Sequence, residues 1–330
     1  MRVGLIGAGR IGRMHGAVLA SLPGVDAVVV SDVNAAAAEA LAAEIGGRAV
    51  ATAAEAIDSA DAVVVAAATD AHAPLLRQTI AASRPTFIEK PLAFTLEESR
   101  ELVDLVASSG VPVQVGFQRR FDTAYAEARR LVVAGELGVI YTIRLIAHDA
   151  APPPEAYIPT SGGIFRDSSV HDFDSLRFMT GEEVEDVVAV GSVRGFEMFS
   201  RYGDSDTVAA LLRMTDGTIA TLSQTRHNPR GYDIRMEIVG SRDTVSIGLG
   251  PHTPTRSLEP GGPDFGTGWD GFLARFEPAY RAELERFIDV AGGRAPSPCT
   301  ADDGYQAMRI AVAAGTSMAE GRSVRLAEIV

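Results

Sequence analysis

Strands alternating with helices through the first third of the chain, a G-x-G-x-x-G run directly after the first strand, and a later series of longer alternating strands predict an α/β protein in two parts. Residues 1–118 are expected to form a doubly wound dinucleotide-binding domain on a parallel sheet, and 119–330 an α+β domain on a mostly antiparallel open sheet. The length of 330 residues agrees, because it exceeds what one core usually organises.

In order along the chain, residues 2–6 form a short apolar run ending at the glycines, and 27–31, 62–67, 85–88 and 113–115 read as further buried strands. Helical patterns lie between them at 11–20, at the alanine-rich 35–45 and at 97–107, and Pro74 opens another helix. Strands and helices in this alternation make βαβ units. After Gly116 the pattern changes. A long helix is expected over 119–134 with Gly135 near its end, then strands at 139–146, 184–193, 208–213, 218–224, 235–239 and 244–247. Asp216-Gly217 is a hairpin turn signal between two of them. Residues 278–290 and 302–320 read as helices, and the Pro- and Gly-rich 251–268 as a loop.

Composition narrows the function. A net charge of −13 disfavours a nucleic-acid binder and docking on an anionic membrane. Cys299 is the sole cysteine, which excludes an intrachain disulfide and a thiolate-rich metal centre. The six histidines show no zinc-binding spacing, so no metal is expected. Apolar stretches are too short to span a bilayer and Met1 leads directly into the first strand, so a cytoplasmic protein is expected.

Gly7-Ala8-Gly9-Arg10-Ile11-Gly12 is informative through its context. Gly7 permits the tight turn, Gly9 lets a pyrophosphate approach the backbone, and Gly12 allows close helix–strand packing. Asp32 ends the next strand, twenty residues past Gly12, where an acid accepts ribose hydroxyls and repels a 2′-phosphate. Its neighbours Val33 and Asn34 add no arginine for such a phosphate. This is a Rossmann fingerprint, and it points to NAD rather than NADP.

Two more segments, Glu89-Lys90-Pro91-Leu92 and the run from Gly162 through Asp167, His171 and Phe173 to Asp174, complete a resemblance to the Gfo/Idh/MocA oxidoreductases over essentially the whole chain. Within that family the second run, with Gly203 to Thr207 and Gly231-Tyr232-Asp233, resembles the myo-inositol 2-dehydrogenase branch. The resemblance implies Lys90, Asp167 and His171 as the catalytic set, a cis Lys90–Pro91 bond, and cofactor contacts from Arg10, Ile11, Thr69, His72, Glu89, Lys90 and Gln118 beside the fingerprint residues. It also implies a homo-oligomer, a homodimer or homotetramer, formed through the open sheet.

Oxidation of a secondary alcohol needs a base, a group that stabilises alkoxide, and a hydride acceptor. His171 suits the base because its ordinary pKa lies near neutrality. Asp167, four residues earlier, shares a helix face with it and orients the imidazole, and Asp174 falls near the same face for substrate hydroxyls. From spacing alone Asp167 reads equally as a helix N-cap and His171 as a polar surface residue. His72 reads equally as a helix cap. His148 and Tyr232 are candidate substrate contacts or ordinary strand residues. Two departures from the inositol branch bear on specificity: Gln118 stands where Met is common, and Asp149 to Pro154 lacks the usual Asn. The expected function is NAD-dependent oxidation of a cyclitol or sugar hydroxyl. The alternatives are a related enzyme using NAD transiently for elimination or glycoside cleavage, and a non-catalytic NAD-binding regulator.

Overall fold

A computed structural model describes residues 1–264 and 266–330. By its internal packing the chain divides into two compact units, Met1–Gln118 with Pro278–Gln306, and Arg119–Glu277 with Ala307–Val330.

The first unit carries β1 (Arg2–Ile6), α1 (Arg10–Ser21), β2 (Ala27–Ser31), α2 (Ala35–Ile45), β3 (Arg48–Ala49), α3 (Ala53–Asp58), β4 (Ala62–Val65), α4 (Thr69–Ala81), β5 (Thr86–Glu89), α5 (Leu96–Ser109) and β6 (Val113–Gly116). All six strands are parallel, in the order β3-β2-β1-β4-β5-β6. The chain order reverses between β1 and β4, and the carboxyl ends of such strands are where open α/β sheets bind ligands. Continuous burial of Val3–Ile6, Val28–Ser31 and Ala62–Val65 is what a parallel sheet covered on both faces requires. Asn34, Thr52 and Thr95 start α2, α3 and α5 by accepting backbone N–H groups.

The second unit begins with a 3₁₀ turn, Gln118–Phe121, whose first residue belongs to the first unit, and continues through α6 (Thr123–Val133), β7 (Ile140–His148), α7 (Ile158–Ser161), a π turn at Phe165–Ser169, and α8 (Val170–Thr180). There follow β8 (Val184–Ser192), α9 (Met198–Arg201), β9 (Thr207–Met214), β10 (Ile219–Thr225), β11 (Asp233–Gly240) and β12 (Thr244–Ile247). Next come α10 (Phe272–Ala291) and α11 (Ala301–Glu320), each with residues in both units, and then β13 (Val324–Arg325). The seven-stranded sheet runs β12-β11-β7-β10-β9-β8-β13 and is antiparallel except where β10 pairs with β7. Ile143, Leu145, Leu212, Leu222, Met236 and Ile238 bury one face. The other face leaves Val188, Val190 and Leu211 exposed.

Several expectations change. The helix expected over 119–134 begins only at Thr123, because the Asp122 carboxylate accepts from Ala124 and Tyr125 N–H and caps it there. Pro74, read as a helix opener, lies inside α4, and Pro278, the first residue of the expected 278–290 helix, lies inside α10, so both helices start upstream. A proline sacrifices only its own N–H bond and strains the preceding turn, which these helices tolerate. The elements β3, α3, α7, α9 and β13 are too short to show a period. The 251–268 loop holds an isolated pairing of Arg256 with Asp264; Phe265 within it lies outside the described residues.

A division into 1–118 and 119–330 also misplaces 278–306. Leu284, Phe287 and Ile288 are buried in the same cluster as Val3, Leu5, Val28, Val30 and Phe87, so apolar burial assigns this segment to the first unit. Phe287 meets Phe87 edge-on with centroids 5.8 Å apart. Phe287→Ala is therefore expected to cost about 3–5 kcal/mol in chemical denaturation, as a core cavity does. A loss below ~1 kcal/mol would show that the segment adds little to this core.

Candidate active site

In the first unit, the predicted cofactor residues gather at the carboxyl edge of the parallel sheet. The glycine loop follows β1, Asp32 follows β2, Thr69 begins α4 just beyond β4, Glu89 and Lys90 end β5 and follow it, and Gln118 follows β6. A Cβ on Gly12 would sit 1.9 Å from the Gly7 carbonyl oxygen, and one on Gly7 (φ 108°) would sit 2.5 Å from Ala66. Around Gly9, by contrast, a Cβ would meet nothing within 4 Å.

Helix α1 starts at Gly9 without a side-chain cap and with no acid in its first turn, and it opens with Arg10 and Ile11. Its first N–H groups thus face the open space at Gly9 with the helix's positive end, which fits a pyrophosphate. The Asp32 carboxylate accepts from Ala8 N–H at 2.6 Å and from Asn34 N–H at 2.7 Å, clasping the glycine loop to the end of β2. Val33 is fully exposed beside it.

Other predicted cofactor residues are turned into the protein. Glu89 Oε1 lies 2.7 Å from Nε2 of the fully buried His15 on α1, so this carboxylate ties β5 to the helix behind the glycine loop. His72 is 1% exposed, with Nδ1 2.7 Å from the Pro91 carbonyl and Nε2 3.1 Å from that of Ala67. Burial outweighs both carbonyl contacts and pushes its pKa down. It is neither a helix cap nor a surface contact; it braces the turn that carries Lys90. The Lys90–Pro91 bond is cis, and Gln118 is 3% exposed.

In the second unit, the helix expected to carry Asp167 and His171 is interrupted. Asp167 lies in the π turn and His171 is the second residue of α8, so the wider turn replaces a plain α-helical i, i+4 pairing. The N-cap positions of the π turn and of α8 are Ile164 and Ser169, not Asp167. Its Oδ2 meets the Arg226 guanidinium at 2.9 Å and its Oδ1 accepts from the Tyr157 hydroxyl at 2.8 Å. Asp174, expected near substrate hydroxyls, is buried. Its carboxylate is fully buried and takes two guanidinium donors from Arg120, at 2.9 and 2.6 Å. Beside it Arg119 pairs with the equally buried Asp172 at 2.6 Å, and together these pairs anchor α8.

Tyr232 is 8% exposed, and burial raises its hydroxyl pKa despite the nearby Arg119. It lines a cleft with Asp233, His252, Trp269 and Arg275. His148 alternates with the buried Ala147 and faces away from the core, near Ser223 at 3.3 Å and Asp233 at 4.0 Å.

Three residues around Asp167 escaped the sequence reasoning: Arg226, Asp149 and Tyr157. Arg226 follows Leu222 and Gln224 on the inward phase of β10, and Asp149 follows Leu145 and Ala147 on that of β7. A charge on an inward phase was the available signal. Both predicted strands stopped short of it.

Comparisons with known proteins give matches along nearly the whole chain. The family described as "Oxidoreductase family, NAD-binding Rossmann fold" matches residues 1–117, and "GFO/IDH/MocA C-terminal domain" matches 125–246. A myo-inositol dehydrogenase of Streptomyces leeuwenhoekii is 38% identical over 97% of this chain and 98% of its own. A crystal structure of a probable dehydrogenase from Thermotoga maritima superposes with a TM-score of 0.94 at 33% identity, covering 100% of both chains. The scyllo-inositol dehydrogenase of Lactobacillus casei, solved with bound NAD(H) and scyllo-inositol, superposes with a TM-score of 0.89 at 27% identity over 99% of both chains.

The glycine loop separates folding from binding. Gly9→Ala is expected to keep the wild-type melting temperature and weaken NAD binding at least ~10-fold, or about 1.4 kcal/mol. Gly12→Ala is expected to lower the melting temperature itself, because helix and strand must part. Calorimetric melting with NAD titration checks both, and equal behaviour of the two variants would contradict the assignment.

Proposed function

The chain belongs to the GFO/IDH/MocA oxidoreductase family, and on that premise we propose that it is a NAD-dependent dehydrogenase oxidising a secondary hydroxyl of a cyclitol, of the inositol 2-dehydrogenase type. One observation carries the reading. Relatives named as inositol dehydrogenases match this chain along its whole length, through both the glycine loop and the segment bearing Asp167 and His171.

The residues that would hold the dinucleotide are Gly7, Gly9, Gly12 and the first turn of α1 for its phosphates, and Asp32 for the ribose. When bound, NAD supplies the hydride acceptor. In the mechanism we favour, His171 accepts the substrate's hydroxyl proton and Asp167 supports the imidazolium that results. Lys90, extended by the following proline, holds a positive charge for the developing alkoxide. A neutral polyol suits an acidic protein, because no charge is repelled on approach.

Two further expectations belong to this reading. The exposed face of the second unit's sheet, with Val188, Val190 and Leu211, supports a homodimer or homotetramer that buries it. Among the described residues no helix is long and apolar enough to cross a membrane. We propose a cytoplasmic location on the lone, buried thiol of Cys299.

Purified protein with NAD and a panel of inositols and sugars is expected to accumulate NADH with at least one inositol. His171→Ala and Lys90→Ala are each expected to lower kcat about 10²–10⁴-fold, with NAD affinity kept in the His171 variant. Product without NADH accumulation would overturn net oxidation in favour of transient NAD use. NAD binding without turnover of any polyol would favour a regulator. Light scattering is expected to give a dimer or tetramer; a monomer would remove the proposed interface.

A further inference from the structure

Arg226 is 4% exposed, and burying a guanidinium is costly unless it is paired. Its Nη2 lies 2.9 Å from Asp167 Oδ2 and its Nη1 lies 3.4 Å from Asp149 Oδ2. Nε has no acceptor among the described residues, so the two carboxylates dictate where the guanidinium sits. Asp149 is fixed by its backbone, donating from its N–H to the Thr225 carbonyl and accepting from Asn228 N–H through its own. Arg226 N–H donates to the Asp206 carbonyl. The clasp is therefore preformed by strand ends on both sides of the charge.

Three carboxylates, Asp149, Asp167 and Asp204, act on this one guanidinium and together outweigh the burial that opposes its charge. They do not share it equally. Asp167 has the closer contact and a second donor in Tyr157, whereas Asp149 has the longer one. The asymmetry appears in protonation. Although a quarter of its side chain stays exposed, Asp149 is pushed up to about 6 by burial, with Asp167 adding to the rise and Arg226 and Arg119 opposing it. When like charges crowd one site, one carboxyl keeps the proton. Geometry selects Asp149 for that part.

We propose that Arg226, anchored on Asp149, is the positioning residue that keeps Asp167 ionised and aimed for proton transfer. The proposal rests on the dehydrogenase reading for the use of Asp167, but the charge arrangement can be tested without turnover. The groups around the clasp are Tyr157 from the 3₁₀ turn Glu155–Tyr157, Asp149 beyond β7, Asp204 ahead of β9 and Arg119 ahead of α6.

Without Arg226 the two facing carboxylates must retain a proton between them. Arg226→Gln in the full-length protein is expected to show one additional protonated-carboxyl infrared band at about pH 8, relative to wild type. Its kcat on the active inositol is expected to fall at least ~10-fold with KM changed less than ~3-fold, and the acid limb of its pH profile to move upward. Adding Asp149→Asn is expected to remove the band and recover most of the lost kcat, because Asp167 then faces no rival. A merely structural arginine predicts neither the band nor the recovery. No additional band in Arg226→Gln, or no recovery in the double variant, would overturn the proposal.

If Arg226→Gln does not fold, the near-isosteric Asp149→Asn decides alone. It is expected to abolish the carboxyl infrared titration step centred near pH 6, and a step that persists overturns the assignment. Should the wild type oxidise no polyol, the dehydrogenase reading fails while the infrared result still stands or falls by itself.

Discussion

The first unit is organised around a contact that only hydrogen permits. The Gly12 Cα lies against the Gly7 carbonyl, with no room for a methyl group. This contact sets α1 directly on β1, so that the helix points its uncapped amino end along the carboxyl edge of the sheet. The neighbouring strands are then constrained as well. Gly7 presses on Ala66 at the end of β4, and Gly4 of β1 would strike the Ala56 carbonyl of α3 if it carried a Cβ. The space beside Gly9, by contrast, is open, since a Cβ there would meet nothing within 4 Å. That opening lies at the uncapped start of α1, where an anion would meet the helix's positive end.

The second unit solves a different problem, holding a helix full of charge inside a core. From Val170 to Leu176, α8 is buried apart from the half-buried His171, although it carries Asp172 and Asp174. Residues two apart project to different sides of a helix, so each acid needs its own partner. The consecutive Arg119 and Arg120 supply them from one 3₁₀ turn. Ion pairs of this depth add little net stability, because desolvation offsets attraction, but removing one partner strands a buried charge. They therefore specify where α8 lies more than they strengthen the fold. His171 stays partly accessible on a helix that two buried ion pairs hold in place.

The architecture was legible where period and punctuation were strong. Parallel strands read as unbroken apolar runs, the glycine fingerprint marked the first turn, and alternating strands marked the second sheet. The short elements β3, α3, α7, α9 and β13 were not legible, and neither was the late start of the expected 119–134 helix, which the Asp122 cap sets at Thr123. For the site, residue type marked Asp32, Lys90, Asp167 and His171, yet it could not say which polar side chains turn inward. His72, Glu89 and Asp174 carry chemistry that suits a ligand and spend it on internal partners. Arg226 and Asp149 were hidden by a boundary. Extending β10 and β7 by one inward position each exposes a buried charge on neighbouring strands, and register then brings the two together, since Thr225 pairs with His148.

Asp32 shows how one group carries two constraints that sequence reasoning treats as one. As a discriminator it needs only negative charge at the end of β2, to accept ribose hydroxyls and repel a phosphate. In the structure its two oxygens also hold Ala8 N–H and Asn34 N–H, which are the backbone of the glycine loop and the start of the turn into α2. Charge-assisted hydrogen bonds to backbone amides are among the stronger ones. The carboxylate proposed to select the cofactor thus also shapes the glycine loop. Replacing it by a neutral side chain removes the repulsion of a 2′-phosphate, but it also releases the loop from β2. If Asp32 sets cofactor preference as proposed, that preference is coupled to loop geometry, and changing it would require a substitute for both hydrogen bonds as well as a change of charge.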